Sequence, residues 1–118
     1  HVGLATNDSH YSACNHLNHL GVFDLFDEVI AADTVAVPKP SGDMIRKFAS
    51  TVGLKPSEIA MVGDNSHDIE EARNGGAGLA IAVLSGNASH EDIAHHADYT
   101  LESIATLPTL LRSLSHVL

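Results

Sequence analysis

Along the chain, short apolar runs alternate with stretches in which apolar side chains recur every three or four positions, the two periods of strands and helices. Val2 to Ala5 is an apolar run ending in Thr6-Asn7-Asp8-Ser9, a polar set rich in helix N-caps. The spacing predicts a helix over 9–20, with Tyr11, Cys14, Leu17 and Leu20 on its apolar face and Gly21 as its stop. Val22 to Phe26 suits a short packed turn, and Glu28 to Ala32 a second strand. After the loop containing Pro38-Lys39-Pro40, Ser41 is placed to cap a helix whose Met44, Ile45, Phe48 and Val52 face inward, ended by Gly53. Ile59 to Val62 reads as a third strand, breaking at Gly63-Asp64-Asn65-Ser66. The helix after it, about 66–74, carries Ile69 and Ala72 on one side and Glu70, Glu71 and Arg73 elsewhere, and closes at Asn74-Gly75-Gly76. Leu79 to Leu84 is a fourth strand. Ser89 and Asp92 have capping-box spacing and open a short helix to about His95. Tyr99 to Leu101 is a weaker fifth strand, and a last helix starts near Thr106 with Pro108 in its first turn.

Strand–helix–strand repetition with short connections implies right-handed crossovers and a parallel sheet. The third and fourth strands are continuously apolar, as expected where helices cover both faces. The expected fold is therefore α/β, a Rossmann-like three-layer parallel sheet, with 1–118 forming one domain. The 118 residues and 44% hydrophobic content agree with a globular domain and exclude wholesale disorder. No apolar run approaches the roughly 20 residues that cross a bilayer. The formal charge of -9 argues against a nucleic-acid partner held through its phosphates. Cys14, the sole cysteine, forms no internal disulfide, and a cytoplasmic location is the default. The first residue is His1 rather than Met, which suggests a chain that begins within something longer.

In open parallel sheets, ligands bind beyond the carboxyl ends of the strands. Three polar clusters fall there. Thr6-Asn7-Asp8 combines a hydroxyl with backbone N–H groups at a helix start, which suits an anion but equally an ordinary cap. Lys39 lies between two of the chain's four prolines, a stiffened backbone for a cation that must reach a fixed point. Asp64 follows a buried strand directly, and Asp68 stands four residues on, in the first turn of the next helix. Oxygen donors of this kind suit a hard cation such as Mg²⁺, although Asp68 also fits a simple helix N-terminal acid. Together the clusters would hold a phosphate through Thr6 and Lys39 and a Mg²⁺ through Asp64 and Asp68, stabilising charge on a transferring phosphoryl group.

In order and wording these motifs resemble the haloacid dehalogenase-like (HAD) superfamily, close to its phosphoglycolate-phosphatase-type members. Gly3-Leu4-Ala5-Thr6-Asn7 is similar to the second motif of that family, Lys39-Pro40 to the third, and Val62-Gly63-Asp64 through Asp68, on to Gly75-Gly76-Ala77-Gly78, to the fourth. Ala82-Val83-Leu84-Ser85-Gly86 and Ala97-Asp98-Tyr99 also have counterparts there. The resemblance implies a Mg²⁺-dependent phosphatase acting on a small phosphorylated metabolite through an aspartyl-phosphate. Thr6 would hydrogen-bond the phosphoryl oxygens and Asn7 would add a contact. Lys39 would stabilise negative charge on the nucleophile and phosphoryl group. Asp64 would ligate the Mg²⁺, and Asp68 would help hold the metal's shell or orient Lys39.

One part of the family's pattern has no counterpart. The nucleophilic Asp and the acid/base Asp two residues later require Asp-x-Asp, which occurs nowhere in this sequence. The cap segment between the first and second motifs is absent too. The chain alone is thus expected to be inactive. In the resembled fold the missing strand lies between those ending at Thr6 and Asp64, so two strand edges should stand unpaired unless a further N-terminal segment fills the slot, the sheet rearranges or a second copy pairs there. The alternative from another class is a catalytically inactive Rossmann-like binding module. A phospho-receiver domain would place its paired acids first and its lysine last, and a dehalogenase would not need the Asp64/Asp68 pair. The nine histidines, His16 with His19 and His95 with His96 among them, lack companions at metal-ligand spacing and read as surface residues. His67, within the acidic loop, would meet substrate or solvent.

Overall fold

The structure is a computed structural model that describes residues 1–84 and 96–115. Among the described residues, five strands, β1 (Gly3–Ala5), β2 (Glu28–Ile30), β3 (Ala60–Gly63), β4 (Leu79–Val83) and β5 (Tyr99–Leu101), alternate with four helices. These are α1 (His10–His19), α2 (Asp43–Val52), α3 (Ser66–Gly75) and α4 (Leu107–Ser115). The capping helix expected near 89–95 lies outside the described residues.

All pairing is parallel, but it falls into two sheets. β1 pairs β2 with Leu4 opposite Val29, and β4 lies between β3 and β5, with Met61 opposite Ala80 and Ala82 opposite Thr100. β1 and β3 are not hydrogen-bonded to each other, so among the described residues each keeps one unpaired edge. Between them runs an apolar groove of about 550 Å³, lined by Gly3, Leu4 and Ala5 of β1, Ala60, Met61 and Val62 of β3, and by Phe48, Ile104, Leu107 and Leu111. The α/β Rossmann-like architecture is thus present with the central strand position open.

Alternation along the short strands sends side chains to both faces. Leu4 and Val29 pack with Ala13 and Leu17 of α1 and with Val22 and Phe26 of the turn after it. Ala5, Met61, Ala80 and Ala82 join Ile45 and Ala49 of α2 and Ile69 and Ala72 of α3 in the larger core. Ala80, Ile81 and Ala82 have no exposed surface at all, which explains the unbroken apolar run of β4. Three local expectations are corrected. The buried face of α1 is Ala13 and Leu17, whereas Tyr11 and Leu20 point to solvent, because α1 covers only the narrow β1–β2 sheet. Gly42, not Ser41, is the N-cap of α2; the Ser41 hydroxyl donates to the Val37 carbonyl and accepts from the Asp43 N–H beside it. Glu71, expected on the polar side of α3, is completely buried.

Candidate functional site

The carboxyl ends of β1 and β3 are extended by the segments that carry the candidate residues. The Thr6 N–H continues the sheet to the Ile30 carbonyl at 3.0 Å, and its hydroxyl oxygen accepts from the Asp8 N–H at 3.1 Å. Ser9 caps α1 by accepting from the Ser12 N–H, while Asp33 takes the His10 N–H. The chain therefore turns at Thr6-Asn7 with its backbone already partnered by neighbours.

Asn7 does something its spacing did not suggest. Its Oδ1 accepts from the Lys39 N–H at 3.0 Å and its Nδ2 donates to the Lys39 carbonyl at 3.3 Å, so one side chain clasps both ends of the lysine's backbone. From the other side, the Asn74 amide of α3 donates to the Pro40 carbonyl at 2.8 Å. The Lys39–Pro40 peptide is cis. Gly42 and Gly75 meet backbone to backbone, and a Cβ on either would strike the other segment or Ile45. The 38–42 loop thus lies directly on α3.

Held this way, Lys39 extends Nζ to Asp68 Oδ1 at 2.6 Å. The two side chains are only 11% and 9% exposed, so this is a buried, charge-assisted contact rather than a solvated surface pair. Asp68 in turn lies against Gly63, where any Cβ would collide with its carboxyl group. Glycine at the end of β3 is what lets the first turn of α3 approach the strand so closely. Asn65 starts that turn by accepting from the His67 N–H at 2.8 Å.

The structure therefore brings Asn7, Lys39 and Asp68 together. Thr6 and Asp64 flank them along the chain, beside Asn7 and Gly63, and no hydrogen bond or ion pair joins either to Lys39 among the described residues. Asp64 is exposed, with no hydrogen bond or ion pair to a described residue, while Asp68 is buried against Lys39. No group of three or more His, Cys, Asp or Glu converges among the described residues. His67 is exposed on the same turn, and Cys14 is half-buried with its Sγ 3.7 Å from a ring nitrogen of His10.

Glu71 is the residue that the pattern of the sequence hid. It has no exposed surface, and neither carboxyl oxygen has a hydrogen-bond partner among the described residues. Burial pushes its carboxyl up to about 7, against the attraction of Lys39 and helped by repulsion from Asp68. The signal was positional: Asp68, Glu71, Ala72 and Gly75 recur at three- and four-residue spacing and so share the buried face of α3.

The lysine–carboxylate pair thus lies beyond the carboxyl ends of parallel strands, the usual position of a ligand site in open α/β sheets. Residues 1–82 match the family model described as haloacid dehalogenase-like hydrolase, and the chain belongs to that family. It is 36% identical over 110 residues to a phosphoglycolate phosphatase of Chromobacterium violaceum, covering 93% of this chain and 48% of that protein. It is 32% identical over 106 residues to the pyrophosphatase PpaX of Bacillus velezensis, covering 90% and 49%. The chain thus spans about half the length of the curated relatives it matches. Among solved structures, a HAD phosphatase from Thermococcus onnurineus superimposes with a TM-score of 0.79 at 28% identity, covering 92% of this chain and 49% of that one. A HAD-superfamily hydrolase from Geobacter sulfurreducens gives a TM-score of 0.76 at 26% identity, covering 92% and 51%.

Proposed function

We propose that these 118 residues are one domain, the greater part of the catalytic core of a Mg²⁺-dependent phosphatase acting on a small phosphomonoester such as phosphoglycolate. The observation that carries this reading is the Lys39–Asp68 contact, fixed by Asn7 at the carboxyl ends of parallel strands. An ammonium anchored there neutralises charge on a transferring phosphoryl group without reorganising during reaction. The Thr6 O–H remains available to donate to a phosphoryl oxygen. Asn7 acts on the phosphate chiefly through Lys39, since both its polar atoms already hold that residue's backbone.

Asp64 fits Mg²⁺ as an exposed, oxygen-only donor on a strand end, a ligand type this ion accepts while keeping most of its waters. Asp68 stands behind it and holds Lys39. When bound, the ion would neutralise charge shared between nucleophile and phosphate. The nucleophile itself, the first Asp of an Asp-x-Asp, is not in this sequence. The groove between β1 and β3 is where a strand bearing it fits, contributed by a further segment of the protein or by another chain. The second reading, a binding module without catalysis, is favoured by that same missing pair.

The test is Mg²⁺-dependent hydrolysis of phosphoglycolate and pyrophosphate by the whole protein that contains this chain, beside Asp64→Asn and Lys39→Ala. We expect each substitution to lower kcat/KM by about 10²-fold or more. Activity that survives both substitutions rejects the assignment. No activity in a folded whole protein that lacks Asp-x-Asp favours the binding module.

A further inference from the structure

Lys39 is fixed from both sheets. Asn7, just beyond β1, holds the Lys39 N–H at 3.0 Å and its carbonyl at 3.3 Å. Those two atoms define an axis about which the backbone could still pivot. The third point comes from α3, which packs on β3 and β4: Asn74 Nδ2 donates to the Pro40 carbonyl at 2.8 Å. With three atoms held, the loop has no free pivot. Beside this bond, the backbone of Gly75 lies where a Cβ on Gly42 would be, so loop and helix meet without a spacer. α3 also carries Asp68, whose Oδ1 takes the Lys39 ammonium at 2.6 Å. Asn74 stands further along the same helix, about 9 Å from Asp68 at the helical rise per residue. One helix thus holds both ends of the lysine, its tip at the first turn and its base near the last.

The residue type at position 74 is informative. Asparagine is a weaker helix former than alanine, so helix formation alone does not call for it. Arg46 reaches position 74 through its backbone carbonyl at 3.3 Å, a contact that any side chain there permits. The amide donor is therefore what Asn74 adds to the loop. We propose that Asn74 is a positioning residue for Lys39, registering the base of the lysine against the helix that holds its tip. Without that bond, a pivot of about 10° on the Asn7 contacts carries an ammonium about 6 Å away through about 1 Å. A misplacement of that size weakens a charge aimed at a transferring phosphoryl group. Asn74 acts through the loop, not on the phosphate itself.

The catalytic meaning of this contact rests on the phosphatase reading; its hold on the loop does not, and the experiment reads the two separately. In the whole protein, hydrogen exchange of the Lys39 amide, which donates to Asn7, should quicken at least about fivefold in Asn74→Ala, with the amides of β4 unchanged. An unchanged Lys39 rate, or equal acceleration throughout β4, overturns the proposal. Asn74→Asp keeps the shape of the side chain without its donor and should behave as Asn74→Ala does; exchange at the wild-type rate overturns the proposal. The second arm is Mg²⁺-dependent hydrolysis of phosphoglycolate by the same proteins. Asn74→Ala should lower kcat/KM about five- to tenfold, the worth of one net hydrogen bond, but less than about twofold in a Lys39→Ala background. Equal factors in both backgrounds mean that Asn74 does not act through Lys39 and overturn the proposal. If the wild type hydrolyses nothing, the phosphatase reading falls and the exchange rates alone decide whether Asn74 positions Lys39.

Discussion

A carboxyl that burial pushes up to about 7 binds its proton more tightly in the folded chain than in the unfolded one, where its ordinary value is 4.5. Between those two values the folded state holds more protons, so the Glu71 contribution is fully present below about 4.5 and is lost as pH rises through about 7. The shift corresponds to about 3 kcal/mol across that window. Glu71→Gln removes the titration, so its stability should fall less than that of the wild type between pH 5 and pH 8, and Glu71→Met should behave alike. Chemical denaturation at the two pH values measures this, and parallel pH dependence in wild type and variants would rule it out. Asp68 sits one turn earlier on the same face yet has a cation at 2.6 Å.

At the scale of elements, α3 is tied to the second sheet by a small polar clasp. Arg73 donates to Asp98 Oδ2 at 3.1 Å and to the His96 carbonyl at 2.7 Å, while Asp98 also accepts the Ala80 N–H at 2.8 Å. These bonds, Arg73 first, hold the Asp98 carboxyl below the usual carboxylate value. A depressed carboxylate contributes stability above its unfolded value and loses it as pH falls through the folded one. Asp98→Ala should therefore cost about 1 kcal/mol at pH 7, discounted because the pair is partly exposed, and nothing measurable once wild-type Asp98 is protonated. Amide exchange should rise first along the β4–β5 pairing, and uniform acceleration over all five strands would contradict the clasp. The elements themselves were legible because their periods are clean: Gly53 and Gly76 end α2 and α3 with φ of 73° and 75°, and β4 is apolar throughout. The helix faces were less so. In α1, Tyr11 and Leu20 follow helical spacing but have no second layer to meet, and in α3 a glutamate shares the buried face with Asp68, Ala72 and Gly75. Lys39, Asp64 and Asp68 stood out by spacing, whereas the Asn7 clasp depends on a 32-residue separation that no local pattern encodes.

At the scale of the molecule, the two sheets face one another over an apolar groove whose walls are strand edges, with backbone N–H and C=O groups on β1 and β3 that pair with no other strand among the described residues. A strand lying parallel to both would satisfy these edges, join the sheets into one and cover Phe48, Leu107 and Leu111. It would also bring its C-terminal residue to the level of Thr6 and Asp64, because parallel strands end on the same side. A peptide of five or six alternating β-branched and apolar residues followed by Asp-x-Asp carries both features. Added to the 118-residue chain, it should bind with one-to-one stoichiometry, displace a fluorescent apolar dye from the groove and slow amide exchange at Leu4 and Met61. A peptide with lysines at its inward positions should do none of these. Hydrolysis of a phosphomonoester should appear only with the first peptide and Mg²⁺, and should vanish when the leading Asp is replaced by Asn. Binding without hydrolysis would leave the groove as a strand-docking site and withdraw the catalytic role. Failure to bind, in a chain shown to be folded, would mean that the two edges close on each other in solution and that the groove is not a strand position.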